Sequence, residues 1–335
     1  CLFRIKKEMF FSLISLKILF VQLNTINYIE KNSFQDLNNL IELNLDSNYL
    51  TIIQNETFLG LISLRNLNLA SNLIDFIEFD SFKSIPKLDN LNLENNRIKS
   101  FNIFYSQVKI LNLANNKFKN FNISQNLTYI NLKNNKYLTR LSFEKNLNLK
   151  SLILENTNPK LINVINFEYI LNISLLNLNY MKIDYEVFVR IHHINNIFLI
   201  DLNLNKTIPN EMLIIFLSKC MTLDLSWNSL ELTKKNFNKS LLKRSPMNTL
   251  VLKGCNLTNF DLENSLDFSK MKSLDFLDLG KNLISKIKSY YFAKNTELTH
   301  LILDRNRLSS VEINSFQNLK MLRFLNLSFN QIEYF

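Results

Sequence analysis

Read as apolar and polar positions, the chain repeats one phrase from Leu16 to Phe335, LxxLxLxxNxL. Two neighbouring copies are LIELNLDSNYL, from Leu40 to Leu50, and LRNLNLASNLI, from Leu64 to Ile74. In each copy the LxL pair, such as Leu43 with Leu45 or Leu91 with Leu93, alternates with polar residues and predicts a short strand with one buried face. The polar slot after the strand holds Asn24, Asn48, Asn72, Asn96, Asn116, Asn135, Asn205, Asn228, Asn282, Asn306 and Asn330. The period is about 24 residues, inside the range of solenoid repeats.

One copy cannot bury its leucines alone. Stacked copies can, with each strand pairing to the next and the leucines forming a continuous core. About fourteen strands at roughly 4.8 Å spacing would make an inner arc of about 65 Å, a surface suited to a macromolecule. A second pattern, FxxLxxL, leads from one copy into the next: Phe34, Leu37, Leu40; Phe58, Leu61, Leu64; Phe316, Leu319, Leu322. Phe82, Phe268 and Phe292 hold the same place, so a phenylalanine spine is expected along the outer side of the core.

The Asn slot has a physical reason. The chain turns out of the strand there, and a side-chain amide both donates and accepts, so it can satisfy backbone groups buried between repeats. Thr157, Met181 and Cys255 break the series, and two of these faults are adjacent. The array is therefore expected to be weakest between Leu138 and Asn196.

Composition changes the picture in one respect. The net charge is +10. Part of this is general bias, since Lys, Asn, Ile and Phe are abundant, but the charge is also uneven. Lys109, Lys117, Lys119, Lys133, Lys136, Arg140, Lys145 and Lys150 meet only Glu144 over two copies, and Lys234, Lys235, Lys239, Lys243 and Arg244 form a second cluster. The first cluster is a candidate contact for an anionic partner: a sulfated glycan, an acidic protein or, less favoured, nucleic acid. Register puts Lys133 on the inner face and Lys117 and Lys136 in the turn after the strand. Leu175, Leu199, Phe276 and Phe324 are expected to point outward from their strands as a candidate protein contact.

Cys1, Cys220 and Cys255 make no disulfide framework; Cys220 and Cys255 occupy core positions and are expected to be buried free thiols. The apolar run from Met9 to Val21 superficially resembles a leader, but Phe10, Leu13 and Leu16 fit FxxLxxL and identify it as the tail of a repeat. No run is long and uncharged enough to span a bilayer, so membrane attachment would need an anchor outside this segment. Among the glycosylation sequons, Asn55, Asn122 and Asn238 fall on outer loops and are the candidate carriers, whereas Asn205 sits in the buried slot.

Enzymatic chemistry finds no footing: there is no phosphate-cradling glycine loop, no HExxH and no nucleophile elbow, and His192, His193 and His300 lack a patterned partner. No cofactor, catalytic residue or metal ligand is expected.

The phrase LxxLxLxxNxL followed by xxxxFxxLxxL, as from Leu40 to Leu64 and Leu298 to Leu322, resembles the typical class of leucine-rich repeat in animal extracellular proteins. Irregular copies of about 19 to 27 residues are similar to those of Toll and Toll-like receptor ectodomains and chaoptin-like adhesion proteins. The resemblance implies an α/β solenoid of about 14 repeats, a curved horseshoe. Its parallel β-sheet would line the concave face, with irregular or short helical segments on the convex face. It also implies ligand recognition or adhesion at a cell surface, through a protein ligand or co-receptor. The cysteine-rich caps of that class are missing, so residues 1–335 are expected to be a single array cut from a larger one, prone to aggregate alone. The alternative is a cytoplasmic scaffold for protein–protein interaction.

Overall fold

The computed structural model describes residues 2–100, 107–123, 127–143, 149–158, 172–174, 196–198, 210–228, 230, 245–264, 266 and 268–333. They fall in two compact units, Cys1–Tyr169 and Ile170–Phe335. In the first, seven parallel strands succeed one another: Ile18–Phe20, Glu42–Asn44, Asn66–Asn68, Asn90–Asn92, Ile110–Asn112, Tyr129–Asn131 and Ser151–Ile153. In the second the succession is Asn172–Ser174, Asn196–Phe198, Thr222–Asp224, Thr249–Val251, Phe276–Asp278, His300–Ile302 and Phe324–Asn326. Both units are leucine-rich repeat solenoids.

Strand pairing is in register copy for copy, so Leu43 lies beside Leu67 and Leu67 beside Leu91. These leucines and their partners Leu45, Leu69 and Leu93 are at most 2% exposed. Each such side chain contributes about 1.5 to 3 kcal/mol relative to an exposed one.

FxxLxxL becomes a run of tight turns rather than an α-helix. Leu37 N donates to Phe34 O and Leu40 N to Leu37 O. With about three residues per turn in such bonding, a spacing of three puts Phe34, Leu37 and Leu40 on one face, and all three are fully buried. The phenylalanines stack across repeats: Phe10 on Phe34 at 5.9 Å, Phe58 on Phe82 at 6.0 Å and Phe268 on Phe292 at 6.0 Å. Phe10 thereby brings the apolar start into the repeat pattern. The second unit adds a helix, Asn210–Lys219, which buries Leu213, Phe216 and Leu217 at helical spacing.

In the regular copies the slot asparagine clamps three stretches of backbone. Asn72 Oδ1 accepts from Leu50 N at 3.0 Å, while Nδ2 donates to Leu45 O, Leu69 O and Ala70 O at 3.0 to 3.1 Å. Asn48, Asn96, Asn116, Asn135, Asn306 and Asn330 bond in the same way. Asn24 and Asn228 donate within their own turns, and Asn282 accepts from both Cys255 N and Leu257 N. Asn205 and Met181 lie outside the described residues, as does most of the stretch expected to be weakest. At the other faults, Thr157 donates to Leu154 O at 2.8 Å inside its own turn. The Cys255 thiol reaches back a whole repeat to Leu225 O at 3.1 Å.

A second buried column runs along the outer side. Ser33 Oγ donates to Glu30 O and to Ile5 O in the preceding repeat; Ser81 and Ser315 repeat the arrangement. The serines before Phe34, Phe82 and Phe316 therefore stitch neighbouring copies as the asparagine does.

Replacing Asn72 with alanine leaves the Leu50 amide without its acceptor. It also takes one donor from Leu45 O, Leu69 O and Ala70 O, which keep Asn48 Nδ2, Asn96 Nδ2 and Ser47 N. Asn72→Ala is therefore expected to cost about 1 to 3 kcal/mol by denaturant titration. Asp75→Ala, at an exposed position of ordinary backbone in the same repeat, should change stability by less than about 0.5 kcal/mol. Equal losses would remove the clamp from the account.

Candidate ligand-binding faces

Three kinds of surface emerge from the repeat register: the outward positions of the strands, the rim after the slot asparagine, and the rim before each strand. The charges that cluster in sequence are divided among them. Lys109, just before its strand, pairs with Asp89 at 3.0 Å, and Asp89 also takes Arg65 at 2.9 Å. The Lys109 hydrogen bond, aided by Arg65, holds the Asp89 carboxyl below its usual range against the effect of its burial. Lys133 on the strand face pairs with Glu155 at 2.7 Å. Both acids come from adjacent repeats and lie outside the window that looked uniformly basic. Two of the expected anion contacts are thus already neutralised.

Lys117, Lys119, Lys136 and Arg140 are exposed. Lys117 and Lys136 sit one residue after their slot asparagines and line a cleft of about 420 Å³ in the first unit, with Tyr137 beside them. Arg140 lies beside Asn120 on the outer strand pair Asn120–Ile123 and Arg140–Phe143. Arg97, unnoticed among the sequence candidates, holds the place of Lys117 one repeat earlier and lines a continuing cleft of about 680 Å³.

The residue before each slot asparagine takes a left-handed backbone, with φ of 57° at Asn95, 55° at Asn115, 60° at Asn134 and 53° at Asn156. Asparagine tolerates that conformation better than most side chains. It forms a second, half-buried amide row: Asn134 Nδ2 donates to Asn115 Oδ1 at 2.6 Å, and Asn156 Nδ2 to Asn134 Oδ1 at 2.7 Å. Asn115 in turn donates to Glu94 at 3.2 Å. The doublets Asn95-Asn96, Asn115-Asn116 and Asn134-Asn135 were the sequence signal for this row.

In the second unit the same rim position carries Trp227, Lys281, Arg305 and Phe329. Lys281 Nζ lies 4.9 Å from the Trp227 ring centre, and the Arg305 guanidinium 4.2 Å from that of Phe329. Gly254, at φ +66°, lies against the indole, and a Cβ there would stand 2.6 Å from Trp227 Cε3.

Of the expected apolar strip, Leu175 and Leu199 lie outside the described residues. Phe276 and Phe324 flank His300 on adjacent strands, with ring centres 5.7 and 5.8 Å apart. His300 therefore has ring partners that its neighbours in sequence did not reveal. Thr299 Oγ1 contacts both the Asp275 carboxylate and His300 Nδ1, the latter at 2.8 Å. Phe324 is 46% exposed.

Asn55 and Asn122 are exposed, with Asn122 Oδ1 accepting from Ser142 Oγ at 2.9 Å. Asn238 and the cluster from Lys234 to Arg244 lie outside the described residues, as do His192, His193, Cys1 and Lys145. Cys220 and Cys255 are free and buried, and burial pushes both thiols up to about 12. Among the described residues no group of His, Cys, Asp and Glu is arranged to hold a metal, and no helix is long and apolar enough to cross a membrane.

The leucine rich repeat family signature matches residues 2–50, 38–98 and 272–332. Over 106 residues the chain is 38% identical to MAP kinase phosphatase with leucine-rich repeats protein 3 of Dictyostelium discoideum, covering 31% of this chain and 12% of that protein. The leucine-rich repeat domain of APL1B superposes over 96% of this chain and 83% of its own, with TM-score 0.57 and 18% identity. The TLR13 chain of the TLR13-ssRNA13 complex covers 100% of this chain and 62% of its own, with TM-score 0.50 and 23% identity. At such identities the likeness is one of fold. The fold is that of a leucine-rich repeat solenoid.

Asp278, on the strand face, accepts from Gly280 N at 2.7 Å as Asn68 does from Ala70 N at 3.1 Å. Burial raises its carboxyl pKa above the ordinary value, so its favourable contribution is complete below the unfolded pKa and is lost as pH rises. Asp278→Asn keeps the acceptor and should raise the denaturation midpoint at pH 7, with the gain vanishing near about pH 3. A gain independent of pH would refute the assignment. The buried thiols set a second expectation: Cys220 and Cys255 should resist alkylation at about pH 8 in the folded chain and react on unfolding.

Proposed function

We propose that the chain is a noncatalytic recognition module that binds a protein partner through the strand face of its second unit, within a cell-surface receptor or adhesion protein. The observation that carries this reading is the Phe276–His300–Phe324 row. Three rings held in strand register form a contiguous aromatic contact on the strand face. Such a row fits a partner segment that offers an apolar or aromatic side chain. The exposed sequons at Asn55 and Asn122 support the surface location.

An intracellular scaffold is the second reading. It is favoured by the 38% identity to a phosphatase carrying leucine-rich repeats and by the two free thiols.

A photo-crosslinking residue at position 324 of the full-length protein in its own cells is expected to capture an extracellular protein. The same residue at Ile313, on an outer loop, should not. Glycopeptide mapping should find Asn55 or Asn122 occupied. A cytosolic protein captured from position 324, with both sequons bare, would establish the scaffold; equal capture from positions 324 and 313 would discard the strand-face site. Phe324→Ala should weaken partner binding by about tenfold or more while leaving stability within about 0.5 kcal/mol.

A further inference from the structure

We infer that the rim groove of the first unit is a binding site for a linear acidic polysaccharide, separate from the strand-face site. Arg97, Lys117 and Lys136 occupy the same place in three successive repeats, each one residue after a buried slot asparagine. Strand pairing sets such neighbours roughly 5 Å apart, so the three cations form a line along the groove. All three are exposed, and none has an ion-pair partner among the described residues, in contrast to Lys109 and Lys133. The sequence cluster thus separates into lysines that hold repeats together and cations left facing the groove.

The floor beside these cations is built rather than incidental. Asn115, Asn134 and Asn156 are half-buried and fixed by their mutual bonds. Asn134 and Asn156 each use one Nδ2 hydrogen along the row and Asn115 uses one on the Glu94 carboxylate, so each retains a second, a row of donors at repeat spacing. Tyr137, 64% exposed, adds one ring at the edge. A polysaccharide bearing uronates or sulfates matches this combination: acid groups for the cations, hydroxyl and ring oxygens for the amides, and one sugar face for the tyrosine. The Arg97 fork suits a planar carboxylate or a sulfate. Nucleic acid fits less well, because single strands call for an aromatic platform at successive bases, and among the described residues the two clefts present only Tyr137 and, two repeats before Arg97, Tyr49.

The test uses a heparin dodecasaccharide and an oligodeoxythymidine of equal length as probes, titrated over a range of salt. The triple variant Arg97→Gln, Lys117→Gln, Lys136→Gln is compared with the pair Lys109→Gln, Lys133→Gln, after denaturation midpoints show both folded. The triple variant should lose about tenfold or more in heparin affinity, and the salt slope should fall by about three. The strand-side pair should lose less than about threefold, and Lys117→Arg with Lys136→Arg should keep binding. Equal losses in the two variants, or heparin binding insensitive to salt, would overturn the site. Tighter binding of the oligonucleotide, lost in the same triple variant, would reassign the groove to nucleic acid. None of these outcomes bears on capture from position 324, so the two proposals fail independently.

Discussion

The structure depends on how the turn after each strand satisfies its backbone in the absence of water. The amide of the slot asparagine supplies one acceptor and two donors at the point where three stretches of backbone converge. Because Asn72 bonds back to Leu45 O and forward into its own turn, it fixes the offset between copies as well as closing the turn. Leucine burial drives stacking but does not choose a register; the asparagine does, with the serines before Phe34, Phe82 and Phe316. Once the offset is fixed, every position in the repeat becomes a column.

Columns decide what the surface can do. Residues about 20 to 24 apart in sequence become neighbours, while residues eight apart stand on different rims. Lys109 and Lys117 show the consequence: the first meets Asp89 across a strand edge, and the second lines a cleft with Asn134 and Tyr137. A row of asparagines, a row of cations and a row of aromatic rings follow from the same offset, each able to meet an extended or flat partner.

The fold was legible because its signals are local and periodic. Leu43 and Leu45 alternate as a strand requires, and Phe34, Leu37 and Leu40 recur at the spacing of the tight turns they form. The candidate sites were less legible because their partners come from other copies. Glu155 lies just beyond the basic stretch it neutralises, and His300 meets Phe276 and Phe324 only through strand register. The Cys255 thiol reaches a carbonyl thirty residues back. Other features are readable in the sequence: the Ser-Phe pairs that mark the hydroxyl column, and the Asn-Asn doublets that mark the second amide row.

The most direct test of the clamp is native-state hydrogen exchange at Ile26, Leu50, Ile74 and Ile98. These amides sit in turns yet donate to the side chains of Asn48, Asn72, Asn96 and Asn116. If the asparagines hold the repeats in register, all four should be protected as strongly as the strand amides of Leu43, Leu67 and Leu91, opening only with the unit as a whole. Exchange at the rate of exposed loop amides, while the strand amides stay protected, would contradict it.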